Sequence, residues 1–168
     1  MNPTPQAPPL KSRQLHFVDI DNLTGGPTEN LRSHLLLRQF YDDYTNRHEE
    51  DLVFIASCHY SGFAVATTWE GARIYWRSGK NGADDALLQA FAEANFDRVI
   101  RVWLGSGDGI FVPLLESLQP NTVEGEHTIE ALVIALDQSA IHRTMPSVAH
   151  NVHTLTTSRP IGPFALAS

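Results

Sequence analysis

Apolar and polar positions divide the chain into short apolar runs and longer amphipathic stretches, and the two kinds of segment alternate. The short runs are bounded by turn-forming residues and have the length of buried strands. Six segments of this kind predict strands at residues 15–19, 51–57, 72–77, 98–104, 128–136 and 150–155. The stretches between them carry apolar residues at helical spacing. They predict a helix over residues 28–47, a short helix around 63–69, a helix from 84 or 85 onward, and another after 109.

This alternation of strands and helices predicts an α/β fold. A chain of this kind forms a mostly parallel central sheet with helices on both faces, which is a three-layer, Rossmann-like α/β/α sandwich. The order of the strands within the sheet is not fixed by the pattern. We expect one domain over residues 15–157, after a Pro-rich, flexible lead-in at 1–14 and before a loose tail at 158–168.

The composition limits the classes of partner. The chain has 168 residues, of which 42% are hydrophobic, and this is enough for one domain with a core. The net charge of −7 argues against a broadly basic surface that coats nucleic acid, although an enzyme can still touch nucleic acid locally. The lone cysteine, Cys58, allows no internal disulfide, and no apolar run has the ~20 residues of a membrane-spanning helix. We expect a soluble cytoplasmic protein with no membrane partner, and a homodimer is left open.

Three acidic residues have the same predicted position relative to the sheet. Asp19 ends the first strand, Asp84 begins the helix after the third strand, and Asp108 follows the fourth strand. The carboxyl ends of parallel strands and the helices that follow them lie at one edge of a sheet, so these carboxylates are expected to converge. Converging carboxylates repel one another unless a cation neutralises them, and oxygen ligands favour Mg²⁺ or Mn²⁺. A cation held in this way can activate water and stabilise charge on a phosphoryl group.

Each of these acids also has a purely structural interpretation. Asp84 and Asp85 stand where helices favour capping and first-turn acids. The segments around Asp19 and Asp108 are also typical of tight turns that follow strands. The shared position of the three acids, rather than any one of them, favours a functional site.

The sequence resembles the NYN family, a branch of the PIN-like ribonuclease superfamily, over residues 15–155. Three short motifs carry the resemblance, and their matching residues are Asp19 and Asn22; Lys80, Gly82, Asp84 and Leu87; and Ser106, Gly107 and Asp108 followed by Phe111, Val112, Pro113 and Leu114. One position departs from the family pattern, because the second acid of the third motif is Ile110 here. We expect Asp21 or Asp85 to compensate if a further acid is required.

The resemblance implies a PIN-like fold and a metal-dependent ribonuclease that hydrolyses phosphodiesters in single-stranded or loop RNA. Asp19, Asp84 and Asp108 would hold Mg²⁺ or Mn²⁺. Asn22 and Ser106 would orient a carboxylate or bind phosphate. Basic side chains near the site would contact the RNA backbone, or would be ordinary solvated charges; these are Arg77, Lys80 and Arg143.

Two other functions compete with this one. A haloacid-dehalogenase-like phosphatase also opens with a strand that ends in Asp-x-Asp, and there Asp19 would be the nucleophile and Asp21 the general acid. Ser57 and Lys80 would complete that site, but Asp84 has no role in it. Alternatively, the loss of the acid at Ile110 leaves a non-catalytic module that binds RNA or protein. The three tryptophans are expected to pack in the core, except that Trp76 faces a nucleic-acid base if it lies at the rim.

Overall fold

A single sheet of six parallel strands forms the centre of the protein in a computed structural model that describes residues 12–119 and 128–155. The order of the strands is β3-β2-β1-β4-β5-β6. Their bounds are β1 (Arg13–Asp19), β2 (Leu52–Ser57), β3 (Arg73–Trp76), β4 (Val99–Gly105), β5 (Glu130–Ala135) and β6 (Asn151–Thr154). This confirms the predicted α/β fold class, and every described strand pairing is parallel.

Helices cover both faces of the sheet. Their bounds are α1 (Ile20–Leu23), α2 (Leu31–Thr45), α3 (Gly62–Thr68), α4 (Gly82–Glu93), α5 (Val112–Ser117) and α6 (Met145–Val148), with 3-10 turns at Gly109–Phe111 and Gln138–Ala140. Alternate residues of β1 supply the two cores, since side chains alternate across a strand. Leu15 and Phe17 pack with residues of α4 and α5, whereas Val18 packs with Tyr41 of α2 and Trp69 beside α3.

The strand order reverses between β1 and β4. From β1 the chain moves outward to β2 and β3, and β4 then starts on the other side of β1 and leads to β5 and β6. At such a reversal the loops that follow the two strands separate, and a crevice opens beyond their carboxyl ends. The ends of β1 and β4 carry Asp19 and the segment 105–108, so the topology places two of the three predicted motifs at the crevice.

Several predicted boundaries differ from the structure at helix starts. The side chain of Asn30, not that of Thr28, caps α2 by accepting a hydrogen bond from the Ser33 N–H. Helix α4 begins at Gly82, two residues before the predicted start at Asp84. The short helix α1 was not predicted, because a single turn has too few residues to produce a helical pattern.

Parts of the predicted organisation lie outside the described residues. These are residues 1–11 of the lead-in and the whole tail at 158–168. Strand β1 begins at Arg13, two residues before the predicted start of the first strand at residue 15. Among the described helices, none combines the length and the apolar character that crossing a membrane requires.

Candidate active site

A cavity of about 290 Å³ lies at the carboxyl edge of the sheet. Six of the residues singled out from the sequence line it: Asp19, Asp21, Asn22, Arg77, Asp84 and Asp108. The structure therefore brings the three predicted carboxylates to one place, from the ends of β1 and β4 and from the start of α4.

Asp19 lies at the base of this site, where β1 passes directly into α1. Its side chain is 5% exposed. One carboxylate oxygen accepts a hydrogen bond from the Asn22 N–H at 3.1 Å, so Asp19 also caps α1. The capping interpretation of Asp19 is therefore confirmed, and its functional interpretation stays a prediction.

Asp84 reaches the cavity from the first turn of α4. Asn81 precedes the helix in the left-handed backbone conformation, with φ of 57°, and turns the chain toward the cavity. Gly82 then approaches the preceding loop so closely that a Cβ atom there would lie 2.5 Å from the Arg77 carbonyl oxygen. Only glycine allows this approach, and it sets where α4 begins and hence where Asp84 lies.

Asp108 is exposed and belongs to a tight turn after β4. Its carboxylate accepts a hydrogen bond from the Ile110 N–H at 3.0 Å, and its own N–H donates to the Ser106 hydroxyl at 3.2 Å. The Asn22 amide oxygen accepts from the Gly107 N–H at 3.3 Å and so ties this turn to α1. Ser106 is fully buried, which places its hydroxyl in support of the turn.

Burial and mutual repulsion control the charge of the acidic pair. Burial raises the pKa of Asp19 to about 8, the nearby charge of Asp84 adds to the rise, and the hydrogen bond from Asn22 opposes it. Burial also raises the pKa of Asp84, with Asp108 and Asp85 adding to the rise, while the hydrogen bond with Asp19 opposes it. Asp19 and Asp84 line the same cavity, and because the pKa of each is raised, near neutral pH the pair retains a proton that separated carboxylates would release.

The donor set suits a hard cation, although a complete ligand group is not assembled. Within residues 12–119 and 128–155, no three or more His, Cys, Asp or Glu side chains are arranged to hold a metal ion. The Asp19–Asp84 pair provides only oxygen donors, and no cationic side chain of the described chain forms an ion pair with either residue. Mg²⁺ commonly binds through one or two carboxylates and keeps several waters, so the pair fits such an ion. The assignment of Asp108 as a third ligand stays a prediction.

Asp21 has a different role from the one that its sequence position suggests. Its two carboxylate oxygens accept hydrogen bonds from the Cys58 N–H at 2.7 Å and from the Ser61 hydroxyl at 2.6 Å. It thereby joins α1 to the loop after β2. A carboxylate with both oxygens held by donors is poorly placed to carry and deliver a proton, which is the role that the phosphatase alternative requires. That alternative also needs Ser57, which is fully buried.

The remaining predicted site residues differ in their access to the cavity. Arg77 lines it and donates a hydrogen bond to the Gln89 side chain at 3.2 Å. Lys80, Asp85 and Arg143 are exposed and are not among the lining residues. The side chain of Ile110 packs against the core that contains Leu15 and Phe17, so this position points away from the cavity.

Several lining residues were not predicted as site residues, among them Pro27, Cys58, Gly79, Asn81 and Ala83. Pro27, Cys58 and Asn81 border the cavity through loops that follow β1, β2 and β3. Cys58 is partly exposed on the cavity wall. Its place directly after a strand was the available signal, since loops after parallel strands lie at this edge.

Comparison of the sequence with protein-family models and with curated proteins gave no match. The resemblance to the NYN family therefore stays a prediction from the three motifs.

Proposed function

We propose that the protein is a metal-dependent ribonuclease whose site is the cavity bordered by Asp19, Asp84 and Asp108. One observation carries the proposal. Two carboxyl groups, one on a residue that is 5% exposed, line the same cavity at the reversal point of the sheet, and no described cationic side chain pairs with either. Such a pair is costly unless a proton or a cation compensates it.

Mg²⁺ or Mn²⁺ bound to this pair would activate water and stabilise charge on a phosphodiester. Asp19 and Asp84 would provide the oxygen ligands, and loss of their shared proton would accompany binding. Asn22 keeps the turn that carries Asp108 in register with α1. Arg77, which lines the same cavity, would contact a backbone phosphate of the RNA.

Cleavage of labelled single-stranded RNA tests this proposal. We expect the wild-type protein to cleave in Mg²⁺ or Mn²⁺ and to stop when EDTA is added. An Asp19→Asn variant keeps an oxygen that can cap α1 but lacks the charge, so we expect cleavage to fall by at least about 100-fold. Asp43→Asn, an exposed acid of α2 outside the cavity, is the control and should cleave normally. Equal cleavage by wild type and Asp19→Asn would contradict the proposal.

The same proteins separate the proposed function from its two alternatives. A phosphatase would hydrolyse a small aryl phosphate, form a phosphoaspartate at Asp19 and lose activity in Asp21→Asn. A non-catalytic module would bind RNA but cleave neither substrate, and its stability would not respond to Mn²⁺. A ribonuclease of the proposed kind would be stabilised by Mn²⁺, and Asp19→Asn would remove that stabilisation.

A further inference from the structure

Three aromatic side chains are exposed at the same edge of the sheet as the acidic cavity. Tyr60 is 58% exposed, Phe63 is 74% exposed and Trp76 is 49% exposed. Among the described residues, the other exposed large hydrophobic side chains are aliphatic: Leu31, Leu35 and Ile100. Single exposed apolar residues are ordinary, whereas a group of them on one surface indicates a binding site.

These aromatic residues belong to two loops that are joined to each other. A Cβ atom built at Gly62, which lies between Tyr60 and Phe63 in the chain, would be 3.5 Å from the Trp76 indole nitrogen. The His59 ring and the Ser78 hydroxyl form a hydrogen bond of 2.7 Å between the same loops. Trp76 therefore lies beside the start of α3, and we name Tyr60, Phe63 and Trp76, which belong to these two joined loops, the aromatic patch.

The aromatic patch neighbours the acidic cavity along the chain, although none of its three residues lines that cavity. Cys58 precedes Tyr60 by two residues, Arg77 follows Trp76 directly, and both Cys58 and Arg77 line the cavity. Arg77 thus provides one positive charge at the cavity, in the residue that directly follows Trp76.

The charge of the molecule decides which part of a nucleic acid the patch would contact. With a net charge of −7, the protein has little general attraction for phosphates, so contacts other than phosphate contacts must provide much of the affinity. Aromatic rings provide such contacts by stacking on bases, which is possible only where the bases are not paired.

We propose that Trp76, with Tyr60 and Phe63, is a base-stacking platform that holds unpaired bases of RNA next to the acidic cavity. The ligand class is thus single-stranded RNA whose bases lie on the aromatic patch and whose backbone passes Arg77 toward Asp19 and Asp84. This inference rests on the proposed ribonuclease function, and it adds the residues that select single-stranded substrate.

Tryptophan emission gives a direct measurement, because the other two tryptophans, Trp69 and Trp103, are 1% and 5% exposed. We expect a single-stranded oligoadenylate, added in EDTA to prevent cleavage, to quench the emission of Trp76. In fluorescence anisotropy, Trp76→Ala should weaken binding about 5- to 150-fold, which corresponds to the loss of one stacked base. Trp76→Phe keeps a ring and should retain much of the affinity.

Two controls separate stacking from other causes. Ile100 is 44% exposed, close to the value for Trp76, but it lies near the amino end of β4, at the edge of the sheet opposite the cavity. Ile100→Ala should therefore leave binding unchanged. An oligomer of the same length with abasic sugars keeps the phosphates, and we expect it to bind as weakly to wild type as oligoadenylate binds to Trp76→Ala. If Trp76→Ala does not fold, Tyr60→Ala and Phe63→Ala make the same test at more exposed positions.

Several results would overturn the platform. They are unchanged affinity in Trp76→Ala, equal affinity for the abasic oligomer, or self-association that disappears in Trp76→Ala while RNA affinity is unaffected. The last result would assign the patch to a second copy of the chain. Base-dependent quenching without any RNA cleavage would instead support the platform and reject the proposed ribonuclease function, so the two failures are distinguishable.

Discussion

At the scale of single residues, Asp19 has the least ordinary environment in the site. Its carboxyl group is buried against Asp84 and its pKa is raised to about 8 from the usual 3.8. Between these two values Asp19 binds more protons in the folded protein than in the unfolded chain, so its contribution to the free energy of unfolding falls as the pH rises. The loss is complete above about pH 8 and absent below about pH 4, with an upper limit of about 6 kcal/mol.

This linkage makes a prediction for the metal-free protein. We expect Asp19→Asn to equal wild type in stability near pH 4 and to exceed it by a few kcal/mol above about pH 8, because the amide has no charge to bury. Urea unfolding in EDTA across this range measures the difference. Asp43→Asn, at an exposed position, should follow the wild-type curve. A wild-type protein that gains stability toward pH 8 relative to Asp19→Asn would contradict the assigned environment.

The sequence was informative about these residues to different degrees. Asp19, Asp84 and Asp108 could be predicted to converge, because strand and helix ends alone determine which edge of a parallel sheet they occupy. The role of Asp21 could not be predicted, since its partners, Cys58 and Ser61, lie on the loop after another strand. Hydrogen bonds between distant loops leave no periodic signal in a sequence.

At the scale of elements, the start of α4 controls the geometry of the site. A Cβ atom at Gly82 would lie 2.5 Å from the Arg77 carbonyl oxygen, so any other residue must displace the first turn of the helix. Asp84 is carried on that turn and would move with it. The predicted start at Asp84 was two residues late, because a glycine at the first helical position is chosen for close approach rather than for helix propensity.

We therefore expect Gly82→Ala to lower both stability and affinity for Mn²⁺. Overpacking of this kind costs about 1–3 kcal/mol in the free energy of unfolding, and the displaced carboxylate weakens the metal site in addition. Ala92→Gly, at an exposed position of the same helix, should reduce stability by about 1 kcal/mol and leave Mn²⁺ affinity unchanged. Thermal unfolding with and without Mn²⁺ measures both quantities, and wild-type Mn²⁺ affinity in Gly82→Ala would contradict this role of the glycine.

At the scale of the whole molecule, topology and charge together shape the proposed function. The alternation of strands and helices was sufficient to predict a parallel α/β sheet, but not the order β3-β2-β1-β4-β5-β6. Strand order depends on which strands pair across the sheet, and buried strands such as β1 and β4 have too similar a composition to specify their neighbours. The reversal between β1 and β4, which creates the cavity, is therefore information that only the structure provides.

The overall negative charge predicts a weak salt dependence of RNA binding. If Arg77 and Lys80 make the phosphate contacts, log affinity should fall with log salt concentration with a slope of about −1.4 for a single strand. Arg77→Gln should reduce the steepness by about 0.7. Anisotropy titrations at several salt concentrations measure the slope, and a much steeper one would reveal a phosphate-binding surface away from this site.

The central claim is that the Asp19–Asp84 pair is the site of metal-dependent RNA cleavage. Cleavage of a labelled single-stranded RNA by Asp84→Asn, at a fixed Mn²⁺ concentration and beside wild type and Asp43→Asn, tests it most directly. The account predicts that Asp84→Asn loses at least about 100-fold in rate, because one of two paired carboxylates is gone, while Asp43→Asn keeps the wild-type rate. Undiminished cleavage by folded Asp84→Asn would contradict it.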